Sequence, residues 1–449
     1  MVKIHTGMQH SIIWVAQPLC HPLSDPTMAD KLRKAGYATH AVGKWHMGYY
    51  KKGCWPTNRG FDSFFGLLTG RGGFYTHKHY GGHPGLVDSK NWSGYDLRDN
   101  LEQVAQDYQG VYSTHLFTQK SQNIIRRHNR SKVSEQNMFR CLKLWSAFVM
   151  GKFPLFLYHS FQAVHYPLEV PPRYMEDFNY IADERRRTYA GMVKCMDEAV
   201  GNLTRTLKKT GLWNNTIIIF SSDNGANFNY GGSNWPLRGM KRSLWEGGIK
   251  SVGFIASPLL PKLVRGTVNN NLFHVTDWFP TLVRGVARGS LKGTHLDGHN
   301  LWKHLLNKKK TRGKDSWPRK EILHNIDPYS PIFSELPRWF SINFPAAIRY
   351  ENWKLITSQI GNRSWVPPPE SGENTIHSTD TPEKRVWLFD ISEDPKEMND
   401  LSLERTDITY FLLRRLGSYL RGSVPIRYPG PDIRANPSLH NGSFSDWIL

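Results

Sequence analysis

Four cysteines in 449 residues are too few for a disulfide scaffold, although Cys20, Cys54, Cys141 and Cys195 allow one or two bridges. No apolar run approaches the roughly 18 residues of a membrane-spanning helix. The first ten residues, MVKIHTGMQH, lack the apolar core of a secretory leader. Acidic side chains are also scarce: 38 Asp plus Glu stand against 58 Lys plus Arg, a formal net charge of +20. Charge as a whole is modest at 21%, while 39% of the residues are hydrophobic and 13% aromatic. That balance excludes a collagen, a coiled coil and a disordered tail, and supplies apolar surface for sizeable cores. The length corresponds to about three domains of ~150 residues, or to one large α/β domain with a smaller companion. Six Asn-x-Ser/Thr acceptors, at Asn91, Asn129, Asn202, Asn214, Asn362 and Asn441, point toward the secretory pathway, in conflict with the missing leader.

Periodicity sets the organisation. Residues 28–35 predict a helix stopped by Gly36, and Tyr37–Trp45, rich in β formers, predicts a strand. Tyr189, Met192, Val193, Met196, Val200, Leu203 and Leu207 form an apolar stripe at helical spacing, with Gly211 placed as a C-terminal cap. Strands over Phe153–Tyr158 and Thr216–Phe220, joined through that helix, predict a right-handed crossover, the second strand being buried on both faces. Beyond residue 305 a basic, Pro-containing stretch reads as a surface connection. Ala346–Tyr350, Trp353–Thr357 and Val386–Asp390 then predict a hairpin-like sheet in a smaller C-terminal α+β domain.

Five places carry groups suited to chemistry, and each has a plainer alternative. Gly43-Lys44-Trp45-His46 ends a strand, and alternation puts Lys44 and His46 on one face, either as an anion-binding and proton-transfer pair or as a polar strand end. Asp223-Asn224-Gly225 follows the most apolar strand, where its oxygens suit Ca²⁺ or Mg²⁺ and its residue types equally suit a turn. In the loop 235–248, Arg238, Lys241 and Arg242 lie between tryptophans, forming a sulfate or phosphate cradle or a solvated basic loop. His165 follows the strand at Phe153–Tyr158. Cys195 sits on the helical stripe as a buried thiol.

The stretches Thr6–Trp14, AGYATHAVGKWHMG, PTNRGFDSFFG, YAGMVKCMDEAVGNLTRTLKKTGLWNNTIIIFSSDNGA, NWPLRGMKRSLWEGG, HVTDWFPTLV and ILHNIDP together resemble the sulfatase family, most closely its arylsulfatase B type. The resemblance covers nearly the whole chain. It implies an α/β fold, a large mixed sheet sandwiched by helices in the alkaline-phosphatase-like manner, with a smaller C-terminal α+β domain. The implied division is 1–315 for the catalytic-type domain and 316–449 for the companion. By this resemblance Lys44 and Lys241 bind the substrate sulfate, His46 and His165 are catalytic, Asp223 and Asn224 are ligands of Ca²⁺, and Cys20 pairs with Cys54. The implied partner is a sulfated sugar or glycosaminoglycan, the implied location lysosomal or secreted. A nucleic-acid reading rests on net charge alone and has no motif.

The sequence departs from the family at one place. The C-x-P-S-R motif, whose cysteine becomes formylglycine, and the paired aspartates before it do not occur; Cys20-His-Pro-Leu-Ser24 only imitates the motif. The family's first strand, metal aspartates and nucleophile belong just before residues matching Ile4–Gly7. The expectation is therefore a sulfuric-ester hydrolase represented by an N-terminally incomplete, inactive chain, or a noncatalytic binder of sulfated polysaccharide.

Overall fold

The computed structural model describes residues 12–128, 153–307, 317–327, 340–358, 361–425 and 428–448. Asn129, Cys141 and most of the basic stretch after residue 307 lie outside the described residues.

Helix α1, Met28–Lys34, begins at a reciprocal cap: Thr27 Oγ1 accepts from the Asp30 N–H at 3.0 Å and the Asp30 carboxylate accepts from the Thr27 N–H at 2.8 Å. Gly36 then turns the chain into strand β1, Ala38–Lys44, the second innermost of a five-stranded sheet. β2, Ser63–Leu67, pairs with it in parallel. The hairpin of β3, Lys78–Tyr80, and β4, Ser93–Tyr95, stands apart, whereas short β5, Arg98–Asp99, and β6, Glu102–Gln103, extend the sheet antiparallel beyond β2. β7, Leu155–Ser160, closes the other side, parallel to β1.

Alternation gives this sheet two buried faces. Ala41 and Phe64 join the core of Ala29, Trp55 and Phe61, while Val42, Phe65 and Leu67 pack with Leu116 and Phe117 of helix α2, Ser113–Arg127. The tail returns to this unit. Phe444, fully buried, joins the first core, and its carbonyl accepts from Arg98 at 2.7 Å.

The predicted crossover is corrected in part. Helix α3, Glu184–Lys209, follows β7 and leads to β8, Ile218–Ser221, but β8 pairs antiparallel with β9, Gly253–Ala256, in a separate two-stranded sheet. Among the described residues the outer edge of β7 has no strand partner. Accordingly Ile218, Ile219 and Phe220 are half-buried rather than enclosed, and Phe254 is 47% exposed. The buried stripe of α3 also differs: Met192, Cys195, Ala199 and Leu207 are enclosed, Val193 is exposed, and Tyr189, Met196, Val200 and Leu203 are only partly covered. A helix takes its buried face from what packs on it, and α3 packs against α2, where Gln122 donates to Thr206 Oγ1 at 2.9 Å.

The second sheet is antiparallel throughout: β10, Glu321–Ile326, β11, Ala346–Tyr350, β12, Trp353–Thr357, and β13, Val386–Asp390. The last three have the predicted bounds. Helix α4, Thr406–Arg421, covers one face with Leu412, Leu416 and Leu420 against Leu323, Ile348, Leu355 and Leu388. Trp245, from the loop 235–248, covers the other, against Ala347, Ile356, Trp387 and Phe389. A buried ion pair, Arg319 to Asp277 at 2.5 Å, links the chain before β10 to the preceding unit.

Candidate active site

β1 delivers Lys44 to the carboxyl end of the sheet. A Cβ on Gly43, where φ is +105°, would lie 1.8 Å from the Ser160 carbonyl oxygen, so glycine is required for β7 to approach at this point. Strand alternation does not explain His46, because β1 stops at Lys44 and His46 bends back at φ +50°. The bend is held by hydrogen bonds from the Trp45 N–H to Leu67 O at 2.8 Å and from the His46 N–H to Leu68 O at 3.2 Å. Trp45 turns into the core against Phe61, and its Nε1 donates to Cys54 O at 3.1 Å. The disulfide expected between Cys20 and Cys54 is formed, with Cα atoms 6.0 Å apart. Cys195 is a buried free thiol.

His165 lies in the loop after β7. Its N–H donates to Gln162 O at 3.1 Å and its Nδ1 lies 2.8 Å from Tyr166 O, while Tyr166 packs on Tyr230 at 5.0 Å. Asp223 and Asn224 follow β8 in a turn, where Asp223 Oδ1 accepts from the Asn224 N–H at 2.9 Å and Asn224 Nδ2 donates to Gly225 O at 2.8 Å. The loop bearing Lys241 is stitched to that turn. The Lys241 N–H donates to Ala226 O at 2.9 Å, and Asn234 exchanges bonds with Ala226 at 2.7 and 2.9 Å. A Cβ on Gly225 would lie 1.7 Å from Gly247 O, so close approach of turn and loop again depends on glycine.

These elements place their side chains in one electrostatic field. Burial lowers the Lys44 pKa, with Asp223 opposing and Lys241 adding to the shift. His46 is lowered to about 4 by burial and by Lys44, with His165 and Lys241 contributing. His165 is lowered to about 4 by burial, then by Lys44 and Lys241, while Asp223 acts in the opposite sense. Residues 44, 46, 165, 223 and 241, scattered over nearly 200 positions, thus converge. Two ammonium groups and two imidazoles kept neutral in one field have the chemistry to bind a compact dianion and to transfer a proton.

The donor chemistry at Asp223 and Asn224 is right for Ca²⁺, but two side chains fall short of the 6–8 oxygens it takes. Among the described residues no group of three or more His, Cys, Asp or Glu side chains could hold a metal ion. These residues do not by themselves make the ion's site.

Two parts of the loop differ from the sequence reading. Arg238 is 3% exposed and committed to Asp380 at 2.7 Å, and Arg242 is exposed, so of the three loop cations only Lys241 joins the cluster. Sequence reasoning also missed Tyr189, which was assigned to the apolar stripe. Burial raises its pKa, with Arg186 opposing and Asp223 adding, so its phenol lies within the field of the Asp223 carboxylate. Among the sequons, Asn91, Asn214 and Asn441 are exposed, while Asn202 and Asn362 are half-buried.

Residues 2–285 match the sulfatase family model. The chain is similar to arylsulfatase J of Mus musculus, 44% identical over 461 residues, covering 99% of this chain and 70% of that protein. It is similar to N-acetylgalactosamine-6-sulfatase of Homo sapiens at 25% identity over 298 residues, or 64% of this chain and 49% of the relative. Thus the matches span 70% and 49% of the length of these two relatives. Among solved structures, Ps i-CgsB in complex with k-i-k-neocarrahexaose superposes with a TM-score of 0.70 at 24% identity, covering 97% of this chain and 84% of that one. BT4656 in complex with D-glucosamine-2-N,6-O-disulfate gives 0.56 at 17% identity, covering 94% and 92%. The mixed sheet between helices with its smaller antiparallel companion is the alkaline-phosphatase-like arrangement, and the chain belongs to the sulfatase family.

Proposed function

We propose that this chain is the sulfate-recognising body of an arylsulfatase-type sulfuric-ester hydrolase that acts on sulfated sugars or glycosaminoglycans. The observation that carries the reading is the convergence of Lys44, His46, His165, Lys241 and Asp223 beyond the carboxyl ends of β1, β7 and β8. Lys44 and Lys241 bind the nonbridging sulfate oxygens. His46 holds a proton beside them, and His165 delivers one to the leaving oxygen. Burial and the lysines hold both imidazoles neutral, and a bound sulfate offsets the part of the shift due to the lysines, which favours proton uptake on binding. Asp223 and Asn224 would contribute to holding Ca²⁺, whose chemistry when bound is to polarise the sulfate ester.

In this reading residues 1–315 form the catalytic-type domain and 316–449 the companion. The chain as written does not turn over sulfate esters, because the cysteine precursor of formylglycine and the paired metal aspartates are absent, leaving no nucleophile for the covalent route. Among the described residues the outer edge of β7 has no strand partner, which is compatible with a further strand there. The implied lysosomal or secreted setting agrees with the exposed sequons and the disulfide. The sugar class is supported by the two solved complexes, whose own ligands are a carrahexaose and a glucosamine disulfate.

The test is to express this chain and an upstream-extended form in cells able to make formylglycine, and to assay a chromogenic aryl sulfate. The extended form is expected to be active and this chain inactive. Turnover by this chain that survives Cys20→Ala and disappears in Lys44→Ala or Lys241→Ala would overturn the inactivity.

A further inference from the structure

The loop that carries Lys241 is anchored to the C-terminal sheet by a buried ionic network none of whose members is a candidate sulfate ligand. Lys354 lies within β12 and is 0% exposed. Its Nζ donates to Glu246 Oε1 at 2.8 Å and to Glu397 Oε1 at 2.7 Å, and the second oxygen of Glu397 accepts from the Glu246 N–H at 2.7 Å. Neither carboxylate side chain is more than 4% exposed. The Lys354 ammonium keeps Glu246 ionised against the opposing effect of burial, whereas burial holds the Glu397 pKa above its usual value.

A lysine with two glutamates, set among apolar neighbours and within the field of the buried His324 and Arg349, is a costly way to join two surfaces. Well-packed apolar residues of similar volume are often as stabilising or more so, so cohesion alone does not account for the network. What it fixes is location. Glu246 closes the loop immediately after Trp245, which is itself buried against Trp387 and Phe389. At the other end Arg238 lies 3.7 Å from the Trp245 ring centroid and 4.5 Å from that of Trp365. It pairs with Asp380 at 2.7 Å and donates to Arg363 O and Ser378 Oγ, both at 2.8 Å. The Gly239 N–H adds a bond to Ser364 O at 3.0 Å. Between these anchors run residues 240–245, and Lys241 is the member whose backbone reaches across to Ala226 beside the Asp223 turn.

We infer that Lys354, through Glu246 and Glu397, and Asp380, through Arg238, are positioning residues that hold Lys241 opposite Lys44 across the anion site. The C-terminal sheet thereby acts on sulfate binding without touching the sulfate. This rests on the reading of Lys241 as a sulfate ligand.

The experiment is a double-mutant cycle on the full chain, with inorganic sulfate as the probe and affinity measured by titration calorimetry, the melting temperature being recorded for each variant. Lys354→Met is expected to weaken sulfate binding about tenfold when Lys241 is present and to have no effect in the Lys241→Ala background, the non-additivity of groups that act through one another. A purely structural role would lower the melting temperature and leave sulfate affinity unchanged, or change it equally in both backgrounds; either result overturns the inference. Lys354→Met strands two buried carboxylates, so Asp380→Asn, at a side chain 15% exposed, is the second variant. It is expected to weaken sulfate roughly threefold, again only when Lys241 is present, and an effect independent of Lys241 overturns the proposal. If Lys241→Ala alone leaves sulfate affinity unchanged, the sulfate reading of the cleft fails, and the positioning role falls with it; a Lys241 effect without coupling removes the positioning role only.

Discussion

Two of the sheets of this protein, the four-stranded C-terminal one and the pair β8 and β9, use similar apolar sequences and reach different degrees of enclosure. In β12 and β13, Leu355, Ile356, Trp387 and Leu388 are all 0% exposed, because α4 covers one face and Trp245 the other. In β8 and β9, Ile218, Ile219 and Phe220 are half-buried, and Phe254 is 47% exposed on a two-stranded sheet. Hydrophobicity of the strand is therefore a weak guide to burial; the number of elements that pack on it decides. The open region is also the one that leads into the Asp223 turn, so a strand with no fully buried residue positions part of the candidate active site.

That contrast predicts unequal costs of truncation. Leu355→Ala is expected to destabilise by about 2–5 kcal/mol, since a sealed core cannot collapse around the void. Ile219→Ala, at a site already open to solvent, is expected to cost roughly half as much or less, because little apolar area is returned to water. Denaturant unfolding of the two variants measures both, and equal losses would break the comparison.

A smaller effect follows from acid. Burial lowers His21, His79 and His159 to about 4, Arg59 adding to the shift at His21. For an imidazole whose folded pKa is depressed, the unfolded chain binds more protons between about pH 4 and 6.5, so stability is present above that window and lost as pH falls through it. In the second sheet burial lowers His324 in the same sense, but the raised Glu397 acts oppositely, its contribution being retained in acid and lost as pH rises. The unit built around the first sheet, to which His21, His79 and His159 belong, is therefore expected to open before the second sheet as pH falls from 6.5 to 4. Hydrogen exchange resolved by segment checks the order, and simultaneous opening would show that the sheets unfold as one.

The smallest effect concerns the exposed face itself. Phe254→Lys is expected to lower the binding of a hydrophobic reporter dye with almost no change in melting temperature, as an exposed aromatic on an open sheet attracts apolar probes. Tyr410→Lys, at a residue 67% exposed on α4, is the control and is expected to leave dye binding unchanged. Equal changes at the two positions would mean that the β8 and β9 surface is no stickier than the rest.

Local rules carried a good part of the molecule. The bounds of β11, β12 and β13 follow from runs of β formers between turn residues, and the start of α1 from Thr27 capping Asp30. The motif stretches single out Lys44, His46, Asp223 and Lys241, and the place after a strand together with the family resemblance singles out His165; the fold brings all five into one field. How they meet was not legible. His46 reaches Lys44 through a backbone bend at positive φ rather than through strand alternation, and that bend depends on hydrogen bonds to β2 and the residue after it.

Charge shows the boundary most clearly. Composition determined that this chain carries an excess of cations, and the spacing of Arg238, Lys241 and Arg242 that three of them share a loop. Their fates were set by tertiary structure: Arg238 is buried against Asp380, Arg242 is exposed, and Lys241 is half-buried in the field of His165. Lys354 carries the point furthest. Its position within a strand of β formers is written in the sequence, but its burial depends on Glu246 and Glu397, 108 and 43 residues away in the chain. An ammonium group is stable in an interior only where opposite charge is delivered to it, and contacts at such separations are made by the fold as a whole.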